Sequence, residues 1–424
     1  MKKLAWLILP ALLLAYAPVQ AQQAEKKDYP ARNPKATLPD KQPEDGPGGS
    51  KYAHEKFEVY SALEGGEHYW LYTPAEPRPR KAPVVVFVHG YGQLDPEGYD
   101  AWIEHLCRRG NIVIYPQYQA HGLEPPANYA PNAAASILDA FKYLEADPER
   151  VQPEKDKFAI AGHSAGGVTT ANLAADWETL KLPKPKAVMP VQPGRAFNSS
   201  SKAQKNGLIP LSDFSLIPEE ALLLCVFSDS DHTVGAWCAR EFFTKATKVK
   251  AENKNLVEFI SSDYGKQAVV ATHRTPAAPS TMADMVDIWD WHGYWKLLDG
   301  LTDAAFHGKN REYALGDTPQ QKDMGSYSDG RPFEKLKVWK GDAEINPDEE
   351  YTPVFDRNGN RNQKPPSPRK QSPRRKSPPK PPAVKKTRNR KKSSRAGKPE
   401  MGGADSSRSE RTCPVGLPTT AKAC

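Results

Sequence analysis

Residues 83–88 read Pro-Val-Val-Val-Phe-Val and run directly into His89-Gly90-Tyr91-Gly92. A strand with one wet face would alternate apolar and polar side chains, and this run does not. It is expected to be buried on both faces, as in a parallel sheet covered by helices. The same grammar recurs along the chain. Strands are expected at 111–118, 157–161, 187–191, 222–228 and 257–261, with helical patterns at 98–109, 128–146, 165–180 and 235–247 between them. Two further strands, 56–61 and 68–73, flank the Gly65-Gly66 turn, and an aromatic helical stretch covers 282–306. Alternating strands and helices specify an α/β fold with a mostly parallel central sheet and helices on both faces. No internal repeat is present.

Charge divides the chain. Of its 424 residues, 361–400 carry 16 Lys/Arg against a single acid, Glu400, whereas 22–360 has a net charge of −10. The overall +8 therefore belongs to the tail. An acidic body excludes a basic nucleic-acid-binding domain. The expected organisation is a signal peptide at 1–21, a flexible lead-in at 22–50, a catalytic domain at 51–360 and a disordered basic tail at 361–424. The tail is too rich in Pro, Ser, Lys and Arg to bury a core. It offers contact with anionic surfaces or polymers, but its basic clusters hold no aromatic residues for base stacking, which argues against specific nucleic-acid readout.

Met1-Lys2-Lys3, an apolar run to Ala17 and Val19-Gln20-Ala21 match a cleavable leader, with cleavage expected after Ala21. The run is too short for a transmembrane span, so a periplasmic or secreted protein is expected. Export permits disulfides. Cys225 and Cys238 flank the turn at Asp229 and Asp231, and their spacing leaves a bond between them open; Cys107 is expected to be free and buried. Neither CxxC nor HExxH occurs, so metal sites of those kinds have no support.

Chemistry enters at Gly162-His163-Ser164-Ala165-Gly166, set between the strand 157–161 and a helix. A sharp strand-to-helix turn pushes a serine hydroxyl into the open, and glycines two residues to either side remove Cβ atoms that would collide there. The helix start then directs N–H groups and a positive dipole end at the serine. His89 lies 75 residues earlier, at the end of another apolar strand.

With these two motifs the chain resembles the α/β-hydrolase superfamily, over about residues 55–310, and most nearly secreted bacterial enzymes of the dienelactone-hydrolase, chlorophyllase and polyester-hydrolase type. The resemblance implies a Ser-Asp-His triad and an oxyanion hole built from the N–H groups of Tyr91 and Ala165. In comparable sites such donors are worth roughly 3–4 kcal/mol each. Tyr91 is also similar to an aromatic wall residue of polyester hydrolases. The family order places the acid after the strand 222–228, in Ser228-Asp229-Ser230-Asp231-His232-Thr233-Val234. Register against G-x-x-D-x-x-V selects Asp231, with Asp229 the alternative; Ser228 stands where a glycine is common. His273, 42 residues after Asp231, takes the base position, with His292 and His232 as lesser candidates. His89 and His163 are expected to brace the loop and the elbow.

The expected function is hydrolysis of carboxylic esters, short-chain or polymer-borne, through an acyl-serine, with no metal or organic cofactor. An amidase or peptidase with the same triad, or a surface-binding protein on a hydrolase scaffold, stays open. Only about thirty residues separate the strands 187–191 and 222–228, too few for a lid domain, so an open cleft or a short gate at 194–217 is expected.

Overall fold

The computed structural model describes residues 33–63, 68–119, 124–279 and 286–362. The leader 1–21, the Gly65-Gly66 turn, residues 282–285, and the tail beyond 362 with Cys413 and Cys424 lie outside the described residues.

The strands form one nine-stranded sheet in the order β1-β2-β4-β3-β5-β6-β7-β8-β9. In chain order these are β1 (Lys56–Ala62), β2 (Tyr69–Ala75), β3 (Lys81–Val88), β4 (Ile112–Pro116), β5 (Gln152–His163), β6 (Ala187–Val191), β7 (Leu222–Ser228), β8 (Lys254–Phe259) and β9 (Lys337–Lys340). Strands β4-β3-β5-β6-β7-β8 run parallel, while β1, β2 and β9 close the edges antiparallel. The sequence pattern left β9 unseen, because Lys337-Val-Trp-Lys340 is four residues long and half exposed.

Side chains of the inner strands alternate between two cores. Val84, Val86, Ile160, Leu223 and Phe227 face α2 (Tyr129–Glu145), α3 (Ala165–Ala175) and α5 (Trp237–Lys245). Val85, Phe87, Ala159, Met189 and Val226 face α1 (Asp100–Arg108) and α6 (Trp295–His307). The unbroken apolar run from Ala82 to Val88 in β3 is thus explained, since both parities are buried. Helix α3 has all eleven residues buried, which places its N-terminus, and the serine before it, at the centre of the sheet's carboxyl edge.

One expectation changes, and one question left open is answered. Residues 33–50, read as flexible, are docked on the body: Asn33 N–H donates to Tyr264 O at 2.8 Å, Thr37 N–H to Ser328 Oγ at 3.0 Å, and Gly48 N–H to the buried Asp299 Oδ2 at 2.7 Å. Composition shows only that this segment lacks apolar side chains of its own; partners for its backbone lie more than two hundred residues away. The Cys225–Cys238 bond is absent. Both are free and buried, as is Cys107, and Cys238 Sγ is engaged with Gln204 Oε1 at 3.5 Å. Burial pushes both thiols well above their ordinary pKa.

Candidate active site

Ser164 sits between β5 and α3 at φ 59°, ψ −121°, a backbone region that non-glycine residues rarely occupy. The turn is packed from behind. A Cβ on Gly166 would lie 2.2 Å from the carbonyl oxygens of Val88 and His89, and one on Gly162 would lie 2.6 Å from Val88 O and Thr170 Oγ1. Neither position admits another residue without backbone movement. Ser164 N–H donates to Val191 O at 3.0 Å, and Ser164 O accepts from Gly167 and Gly194 N–H at 2.9 and 3.1 Å. Strain at the elbow is therefore held by three strand ends at once.

The structure brings Ser164, His273 and Asp231 together. His273 Nε2 is 2.8 Å from Ser164 Oγ, and His273 Nδ1 is 2.7 Å from Asp231 Oδ2. The other oxygen of Asp231, Oδ1, accepts the main-chain N–H groups of Thr233 at 2.8 Å and Val234 at 2.9 Å. Asp231 is fully buried, while the His273 side chain keeps 12 % of its surface exposed. A carboxylate facing Nδ1 assigns the proton to that nitrogen and leaves the Nε2 lone pair toward the serine hydroxyl.

The alternatives are occupied elsewhere. Asp229 accepts from Ser261 N–H at 2.8 Å and from the hydroxyls of Ser230 and Ser261, and burial raises its carboxyl pKa. His232 Nε2 meets Phe355 O at 2.7 Å, and His292 lies in the single π turn Asp290–Tyr294 that precedes α6. His89 Nδ1 donates to Gly90 O at 2.7 Å, its ring stacks on Tyr118, and burial lowers its pKa to about 4. His163 bonds Tyr99 Oη at 2.8 Å through Nδ1; burial first, then the neighbouring His273, hold it well below the ordinary imidazole range. Both act as neutral braces.

The loop after β3 reaches the serine from the other side. Gly90 is close enough that a Cβ there would lie 3.6 Å from Ser164 Cβ, and Gly92 N–H donates to Gln119 Oε1 at 2.9 Å. Tyr91 thus lies beside the elbow. Ala165 opens α3, where the first amides of a helix have no carbonyl a turn behind them.

The segment 194–217 is folded on itself. The Arg195 guanidinium bonds the carbonyls of Gln204, Lys205, Gly207 and Ile209, and folds the loop around α4 (Ser201–Lys205). Phe197 projects from this loop with 74 % of its surface exposed and meets the half-exposed Tyr91 edge-on at 5.5 Å. Gln192 was missed in the sequence. It is fully buried at φ 42°, and its amide donates to Thr272 O at 2.9 Å and to Ser228 Oγ, joining the ends of β6 and β7 to the histidine loop. Only its place directly after an apolar strand could have drawn notice.

Comparison with known proteins gives one family: a model described as Chlorophyllase matches residues 69–285, about half of the chain and a span that includes Ser164, Asp231 and His273. Among curated proteins the chain is similar to "Chlorophyllase type 0" of Chenopodium album, 31 % identical over 109 residues. That match spans 24 % of this chain and 30 % of the relative.

Proposed function

The chain belongs to the chlorophyllase family, and from that premise we propose that it is a serine hydrolase of carboxylic esters. The observation that carries the reading is the unbroken hydrogen-bond line from Ser164 Oγ through His273 to Asp231, on a serine held at φ 59°. In the proposed reaction His273 Nε2 takes the Ser164 proton as Oγ attacks the ester carbonyl. Charge that develops on the carbonyl oxygen is met by the N–H groups of Tyr91 and Ala165. The imidazolium, steadied by Asp231, passes its proton to the leaving alcohol, and an acyl-serine remains. Water, deprotonated by the same nitrogen, releases the acid and restores the serine. Protons and electron pairs balance without a metal or organic cofactor, and none enters the proposal.

The entrance supports the substrate class proposed. Tyr91 and Phe197 offer an exposed apolar rim beside the serine, and exposed aromatic patches of this kind mark binding surfaces. Short-chain or polymer-borne esters, whose apolar part lies against that rim, fit it. Export with processing after Ala21, and contact of the basic tail with anionic surfaces, belong to the same proposal. N-terminal sequencing of the exported protein tests the first, and salt-dependent retention on anionic vesicles the second.

Hydrolysis of p-nitrophenyl esters of graded chain length, with chlorophyll (from the relative's name) beside them, is the test. Turnover that disappears in Ser164→Ala supports the proposal. Ester turnover untouched by that change, or none on any ester with folded protein, would sink it.

A further inference from the structure

The acid turn is not held by the family-matched segment alone. Each residue from Ser228 to His232 is bonded by a strap, 351–355, that lies beyond residue 285. The Tyr351 hydroxyl donates to Ser228 O at 2.6 Å and accepts the Asp231 N–H at 2.7 Å. Val354 N–H donates to Asp229 O at 2.8 Å, Phe355 N–H to Ser230 Oγ at 3.2 Å, and Phe355 O meets His232 Nε2 at 2.7 Å. Continuing past the strap, Asn362 N–H returns to Val354 O at 2.8 Å, and Arg361 Nε donates to Asp263 Oδ2 at 2.8 Å, on the loop that leads to His273.

We propose that Tyr351 is a positioning residue for the catalytic acid: its phenol bridges the two sides of the turn and sets where Asp231 presents its carboxylate to His273. This rests on the reading of Asp231 and His273 as acid and base. One hydroxyl must donate and accept at the same moment, which requires a neutral phenol. Burial, followed by the adjacent Asp231 charge, raises the Tyr351 pKa far out of reach. Ser228, the residue that departs from the usual glycine, meets the bridge through a carbonyl that glycine would supply equally; what serine adds is a hydroxyl toward Gln192. Without the bridge, the Asp231 amide and the Ser228 carbonyl lose their partner, and the turn is free to draw Oδ2 away from Nδ1. Displacements near 1 Å in such arrangements cost about 100-fold in rate.

The test is Tyr351→Phe in the full-length protein, which keeps the ring and removes the hydroxyl. The expected result is a fall in kcat of about 10- to 100-fold with KM within twofold. The acid limb of kcat/KM also moves to lower pH, because an imidazole farther from its carboxylate is less basic. Unchanged kcat and an unmoved acid limb would overturn the proposal, whatever happens to thermal stability. A second readout does not need turnover: the downfield proton resonance of His273 Nδ1, assigned by its loss in His273→Ala, moves upfield in Tyr351→Phe. If Ser164→Ala leaves ester hydrolysis intact, the functional reading has failed, and the resonance still decides whether Tyr351 positions the pair. Should Tyr351→Phe not fold, Arg361→Ala loosens the same strap from the surface. It is expected to shift the resonance in the same direction by less, and no shift there would equally overturn the idea.

Discussion

Among the described residues, two aspartate–histidine pairs with buried carboxylates are nearly equal in length and different in surroundings. His273 Nδ1 meets Asp231 Oδ2 at 2.7 Å, and His105 Nε2 meets Asp299 Oδ2 at 2.9 Å. In the first pair the free ring nitrogen faces the Ser164 hydroxyl at the elbow. In the second it faces the Tyr52 hydroxyl at 3.1 Å, its ring stacks on Trp295, and its side chain has no exposed surface. Asp299 also accepts Gly48 N–H and lies 3.5 Å from Arg109 Nε, so the pair knots α1, α6 and the segment near residue 48 together. A polarised imidazole is therefore not by itself a site. The chemistry depends on which second group the ring meets and whether a substrate can reach it.

The comparison can be broken from its strongest side first. Ser164→Ala should lower ester turnover by at least about 10⁴-fold while leaving the melting temperature unchanged, since removal of a nucleophile costs activity and not packing. Asp231→Asn should cost about 10³- to 10⁴-fold in kcat, by favouring the wrong tautomer of His273. If steady-state kinetics find both variants near wild type, the two pairs do not differ in the way described.

Asp299→Ala addresses the other pair. Breaking a buried pair by removing one partner typically costs about 3–5 kcal/mol. Urea unfolding should show a loss of that order, with turnover per folded molecule unaltered. A loss of kcat without a loss of stability would mean that the second pair also serves the reaction.

The smallest effect is one of pH. Burial alone would raise the Asp299 carboxyl, but His105, Arg109 and the Gly48 amide together hold it below its usual value. With the folded pKa depressed, the stability this group contributes is fully present above the unfolded value of about 3.9 and is lost as pH falls through the folded one. Wild-type stability should thus drop more steeply than that of Asp299→Asn as pH falls below about 4. Parallel acid titrations in fixed urea would show it; identical slopes would count against an ionised Asp299.

Much of the candidate site was legible because its signals are local. The elbow needs five consecutive residues between a strand and a helix, and the loop after β3 needs four. Asp231 and His273 follow from the triad order and acid-turn register of the enzymes the chain resembles. His105–Asp299 was not legible, because its members are 194 residues apart on two helices and belong to no short pattern. The segments 33–50 and 351–362 were opaque for a related reason. They are polar and lack periodicity, and their order comes from backbone groups satisfied by distant partners, which composition cannot display. Gln192 looks unremarkable in the chain, and Ser228 shows there only as a departure from the usual glycine; their hydrogen bond appears only where β6 and β7 end side by side.

The strap at 351–355 also bears on how the protein ages. Phe355 is its one buried apolar residue, whereas the elbow stands on eleven consecutive buried residues of α3. Sub-global openings draw on the regions with least burial. The peripheral strap is therefore expected to detach well before the sheet melts, exposing the Asp231 amide to hydrogen exchange and its own backbone to proteases. Working lifetime would then be governed by a thin outer segment, and substitutions that secure it could prolong competence without any change to the melting temperature.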